Sequence, residues 1–200
     1  MTDNKFKNKY RIQSARAQWW DYGNNAAYFI TICTANREHY FGNIINEKMH
    51  LSSIGVIANV FWHEIKKHTH FIKLGEFIVM PNHIHGILII DKPFDDIDNN
   101  IGTDNVETRH ALSLQPQFQS ANQQSFGQKR FQNQGKNTIS SIIGGYKSVV
   151  SNHIHRLGYN FKWQTRFYEH IIRNEQSYQH ITDYITNNPK NWENDKFYTE

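Results

Sequence analysis

The sequence predicts an α+β fold, an antiparallel sheet with helices on one face. Three observations carry this. Runs of β-branched and aromatic residues alternate with amphipathic helical stretches, two of the extended runs follow each other directly, and no uninterrupted run of about 18 apolar residues exists. The 200 residues suit one domain covering 1–200, long enough to bury a substantial core.

Residues 1–25 are polar and basic, with Trp19 and Trp20 the strong apolar anchors, and read as an N-terminal arm. Ala27 to Ala35 (Ala-Tyr-Phe-Ile-Thr-Ile-Cys-Thr-Ala) reads as a buried strand. Tyr40 to Leu51 carries Gly42-Asn43 between extended stretches, which fits a short hairpin. Ser52 or Ser53 can cap a helix to about Lys67, because Ile54, Ile57, Ala58, Phe61 and Ile65 recur at helical spacing. Phe71 to Met80 and Ile84 to Ile90 are extended, and Pro81 between them cannot donate to a sheet ladder. A turn at Met80-Pro81-Asn82 then joins two antiparallel strands and places His83 and His85 at the start of a central one.

The stretch 91–136 is acidic at first, then rich in Gln and Asn, and has too few aliphatic residues to bury a core; it is predicted to be a mobile insertion. Thr138 caps a helix whose Ile139, Ile142, Ile143, Tyr146, Val150, His153, Ile154 and Leu157 share one face. Trp163 to Ile172 is extended and aromatic. A last helix runs from about Glu175 to Thr186 and stops at Asn187-Asn188-Pro189. This order of elements matches an α+β sandwich of ferredoxin-like type.

Composition narrows the function classes. The single Cys33 excludes a disulfide framework and fits a reducing cytoplasm. Neither a membrane span nor a secretory signal is evident, so a cytoplasmic protein is expected. The net charge of +4 hides an uneven distribution: between Lys129 and Tyr168 there are seven basic residues and no acidic one. Such a stretch attracts polyanions, although a solvated helix face would read the same way.

His83 and His85 stand one residue apart on a predicted strand, so both imidazoles point to one side while Ile84 points to the other. Two neutral imidazoles held this way make half of a metal site; the plain alternative is a pair of hydrogen-bonded histidines. Gly86 is expected to let a backbone or a phosphate come close. A divalent ion with open positions needs a third ligand, and the sequence singles out none. Tyr146 is a candidate nucleophile on the inward face of its helix, just after Gly144-Gly145, although a tyrosine in such a stripe is ordinarily core. The glycine pair is expected to thin the surface beside it. A phenol is a poor nucleophile at neutral pH unless a metal polarises the phosphate. In the basic aromatic block, Lys147, Lys162, Arg166 and Arg173 suit phosphates, while Trp163, Phe167 and Tyr168 suit base stacking.

Four blocks, in order, resemble the REP-associated tyrosine transposases, single-tyrosine members of the HUH nuclease class. They are Val79-Met-Pro-Asn-His-Ile-His-Gly-Ile-Leu-Ile-Ile90, Ile142-Ile-Gly-Gly-Tyr-Lys-Ser148, Trp163-Gln-Thr-Arg-Phe-Tyr-Glu-His-Ile-Ile-Arg173 and Tyr184-Ile-Thr-Asn-Asn-Pro-Lys-Asn-Trp192. The resemblance implies an HUH-type fold in which His83 and His85 hold Mg²⁺ or Mn²⁺. It implies that Tyr146 attacks a single-stranded DNA phosphate, and that the substrates are palindromes folded into hairpins. Hard cations usually prefer oxygen ligands, so the metal's identity rests on the resemblance alone. Val150 stands where such enzymes carry a polar third ligand, which leaves His153 or Asn152 as substitutes and Tyr168 as an alternative nucleophile. A non-catalytic RRM-like hairpin-binding protein is the other reading. A nucleotide hydrolase with three alternating histidines is disfavoured by Ile87. The sequence is compatible with a monomer and with a homodimer that shares active sites.

Overall fold

The structure, a computed structural model, describes residues 20–93 and 137–199. Most of the predicted arm and the predicted insertion lie outside the described residues. The elements are β1 (Ala26–Cys33), β2 (Gly42–Ile45), β3 (Lys48–Leu51), α1 (Ser53–His68), β4 (Ile72–Met80), β5 (His83–Ile90), α2 (Ile139–Arg156), β6 (Tyr168–Ile172) and α3 (Glu175–Asn187). A 3₁₀ turn over Asn188–Asn194 follows α3.

Local chemistry sets the boundaries. The Ser52 side chain accepts from Gly55 N and starts α1, and Thr138 forms a capping box with Ser141 at the start of α2. Asn174 caps α3 through Ser177 N. A two-residue turn at Pro81-Asn82 joins β4 to β5, as the proline requires.

The four-stranded sheet has the order β4-β5-β1-β6 and is antiparallel throughout, while β2 and β3 form a separate hairpin. This is the split βαβ arrangement expected from the order of elements. Tyr28, Ile30 and Ile32 of β1, with Ile84, Leu88 and Ile90 of β5, form the main core with α1 and α2. The helices expected on one face are these two; α3 lies across the opposite face, where Ile185 packs with Phe29 and Ile87. Central strands that are apolar on both faces, as β1 and β5 are, need a cover on each.

Gly86 lies on the α1–α2 face. A Cβ there would come within 2.3 Å of the Trp62 ring, which is fully buried and stacked on Phe77 at 4.8 Å. The expected approach of a phosphate is therefore corrected: the space that glycine opens is filled by indole. Gly86→Ala should cost on the order of 1–3 kcal/mol through overpacking. An unchanged urea midpoint would contradict this.

Candidate active site

His83 and His85 project from the first turn-proximal residues of β5 onto the α3 face, both fully buried, with ring centroids 4.4 Å apart. Asn82 Nδ2 donates to Phe197 O at 2.8 Å, which fixes the amide orientation. Asn82 Oδ1 then accepts from His83 Nδ1 at 2.9 Å, so the lone pair sits on His83 Nε2. That nitrogen is buried and has no hydrogen-bond partner among the described residues. A buried, unpaired acceptor is costly, and a metal ligand is one way to satisfy it.

Beside it, His85 Nδ1 meets Thr31 Oγ1 at 2.9 Å and His85 Nε2 meets the Tyr184 hydroxyl at 3.2 Å. Tyr184 donates to Asp195 Oδ2 at 3.1 Å. One phenol carries one proton, so His85 Nε2–H donates to the Tyr184 oxygen here and Thr31 donates to Nδ1. Thr31 can equally accept from Nδ1, which leaves Nε2 free to ligate in the other tautomer. Asn188 Nδ2 and Phe197 N hold the two Asp195 oxygens at 2.9 and 2.7 Å. Ligand atoms of His83, His85 and Asp195 all lie within 4.8 Å of one another. Two imidazoles and a carboxylate, one nitrogen orphaned, fit a divalent cation.

Electrostatics favour ligation. Burial, with help from His85, Arg37 and Lys196, holds His83 well below the ordinary imidazole range. Burial, partly offset by Asp195, brings His85 down to about 3. Both rings are thus neutral, the state that binds metal. Burial and then the Asp195 charge push the Tyr184 phenol above its usual range. The Phe197 ring packs 4.5 Å from His83 and 5.6 Å from His85, and Trp192 lies 6.0 Å from His83.

No family model matches the chain. It is 34% identical over 189 residues to an uncharacterized protein of Haemophilus influenzae, covering 94% of this chain and 93% of that one. Over 44 residues it is 41% identical to a REP-associated tyrosine transposase of Escherichia coli, a match covering 22% of this chain and 27% of that protein. Its fold resembles that of a REP-associated tyrosine transposase solved with a REP hairpin, with TM-score 0.54 and 19% identity over 90% of this chain and 74% of the other. The chain thus shares the fold of that transposase structure and a short stretch of similarity with the Escherichia coli transposase.

The expected partnership of Tyr146 with the histidines is corrected by the structure. Tyr146 faces α1, where its hydroxyl donates to Ala58 O at 2.9 Å and its ring meets Trp62 edge-on at 5.4 Å. It is 4% exposed, burial raises its pKa well above the phenol range, and the sheet separates it from the imidazoles. Gly144 and Gly145 point to open space and do not thin a wall around it. His153 and Asn152 are exposed on the same helix, His153 against Phe61, so neither reaches the imidazoles. The carboxylate near the imidazoles is that of Asp195.

Tyr168 lies on the correct face of β6, 49% exposed, with its ring edge-on to Phe29 at 6.4 Å. The tyrosine that touches His85 is Tyr184. Trp163 is half-buried against Phe161 and Phe41 and donates to Lys147 O, while Lys147 donates to Gln164 O at 2.6 Å; this indole belongs to the core. Lys162, Arg166 and Arg173 are exposed. Sequence reasoning missed Tyr184 and Asp195. Tyr184 opens the last of the four matching blocks and shares a helix face with Ile181 and Ile185, whereas Asp195 follows the last helix and carries no periodic signal.

Proposed function

We propose that the chain nicks and rejoins single-stranded DNA at hairpin sequences, with Tyr184 as nucleophile and His83, His85 and Asp195 as the ligands of Mg²⁺ or Mn²⁺. The observation that carries this is the contact of one phenol with both His85 and Asp195, beside the unpartnered Nε2 of His83. The chemistry a bound divalent ion supplies here is neutralisation of charge on the scissile phosphate. Tyr184 Oη forms the new bond to phosphorus as the P–O3′ bond breaks, leaving a 5′-phosphotyrosine and a 3′-oxyanion that takes a proton from solvent water to become the free 3′-hydroxyl. Asp195, already the acceptor of the phenol proton, is placed to receive it. Thr31 and Asn82 hold the imidazole orientations, as outer partners of metal-binding histidines do.

All four groups come from one chain, so one copy suffices and a shared dimeric site is not required. The solved relative was bound to a REP hairpin, and a hairpin DNA partner is carried over to this chain as part of the proposal. Among the described residues no helix is long and apolar enough to cross a membrane.

The test is incubation with hairpin-bearing single-stranded DNA and Mn²⁺. Cleavage should disappear with a chelator and fall by at least about 100-fold in His83→Ala. Binding without cleavage under every metal tested would favour the RRM-like hairpin-binding alternative.

A further inference from the structure

We propose that Arg37 and Lys196 form a two-pronged clamp for the scissile phosphate of single-stranded DNA. This rests on the reading of Tyr184 and the histidine pair as the cleavage centre.

The Arg37 guanidinium carbon lies 4.3 Å over the Phe197 ring, and Lys196 Nζ lies 4.8 Å from the same ring. That ring is in turn 4.5 and 5.6 Å from the two imidazoles, so both cations stand one aromatic ring away from the centre. Lys196 Nζ also lies 5.7 Å over the Tyr168 ring. Neither cation forms an ion pair within the described residues; the pairs found there are Lys67–Glu64 and Lys73–Asp91.

Arg37 is placed by a tight turn after β1. Asn36 and Arg37 are consecutive non-glycine residues in the left-handed region, φ 54° and 61°, as are Asn46 and Glu47 in the β2–β3 turn. The turn carries the guanidinium onto the outer face of the Phe197 ring.

Asp195 is satisfied by its own partners, Asn188 Nδ2, Phe197 N and the Tyr184 hydroxyl, so both cations remain available to an anionic phosphodiester. An aromatic face attracts a cation by about 0.5–2 kcal/mol, and a phosphate forms stronger, charge-assisted hydrogen bonds. A phosphate that reaches the outer side of these two cations can therefore draw them from the ring. Neither residue lies in the basic block that composition singles out, because Arg37 follows β1 and Lys196 follows the last helix.

The experiment measures how the affinity for a hairpin-bearing single strand depends on salt without added metal, together with the rate of adduct formation in Mn²⁺. Each cation lost should lower the slope of log affinity against log salt by about 0.7. Arg37→Gln and Lys196→Gln should each slow adduct formation by about 10- to 1000-fold, and Arg37→Lys should keep the slope. Phe197→Leu, which removes the ring and keeps both cations, is the control for a purely structural role. An unchanged slope in the double variant, or a Phe197→Leu protein that reproduces the losses, overturns the clamp. A reduced slope in a protein whose wild type forms no adduct keeps the clamp and sinks the nucleophile assignment instead.

Discussion

Tyr184→Phe should abolish the covalent protein–DNA adduct, by on the order of 1000-fold or more, whereas Tyr146→Phe should leave it. The two phenols occupy opposite faces of the sheet. Tyr184 is 37% exposed and its hydroxyl touches His85 and Asp195, so deleting one oxygen removes the reacting atom and little packing. Tyr146 is enclosed by α1, and its oxygen contributes one hydrogen bond to the Ala58 carbonyl. Its loss should cost about 1 kcal/mol, visible in urea denaturation and absent from the cleavage rate. A Tyr146→Phe protein that folds, binds DNA and forms no adduct would restore the helix α2 assignment.

Acidification should destabilise the metal-free protein steeply. The unfolded chain takes up protons on these histidines near pH 6.5, while burial keeps His85 neutral down to about 3 and depresses His83 well below its ordinary value. The unfolded state therefore binds more protons below 6.5, and stability falls as pH falls from about 6.5 towards 3. Each such histidine contributes a slope approaching about 1.4 kcal/mol per pH unit, or roughly 2 kcal/mol between pH 6.5 and 5. Urea denaturation in chelator across this range measures it, and His85→Gln should flatten the slope. Equal stability at pH 7 and 5 would mean that the rings are far more open to water than the packing of Phe197 and Trp192 implies. A saturating divalent ion should shift the fall to lower pH, because only the neutral rings ligate.

Much of the fold is legible in the chain. The helical spacing from Ile54 to Ile65 and the Ser52 cap specify α1, and Pro81 specifies the β4–β5 turn, because those signals are local. The alternation of His83, Ile84 and His85 correctly places both imidazoles on one face. The Tyr146 expectation fails for a topological reason. A helical stripe shows that a residue points inward, not which side of the sheet its helix will cover. α2 joins α1 over the Trp62 face, while α3 covers the histidine face and brings Tyr184. The continuous apolar runs of β1 and β5 already call for cover on both faces. Asp195, Lys196 and Arg37 are set by tertiary contacts beyond the ends of regular elements, where periodicity carries no information.

The most direct measurement is to trap the protein on hairpin-bearing single-stranded DNA with Mn²⁺, digest the product and map the nucleotide-linked peptide by mass spectrometry. The geometry of the histidine face predicts a 5′-phosphate on Tyr184. Linkage to Tyr146 or Tyr168 would contradict it.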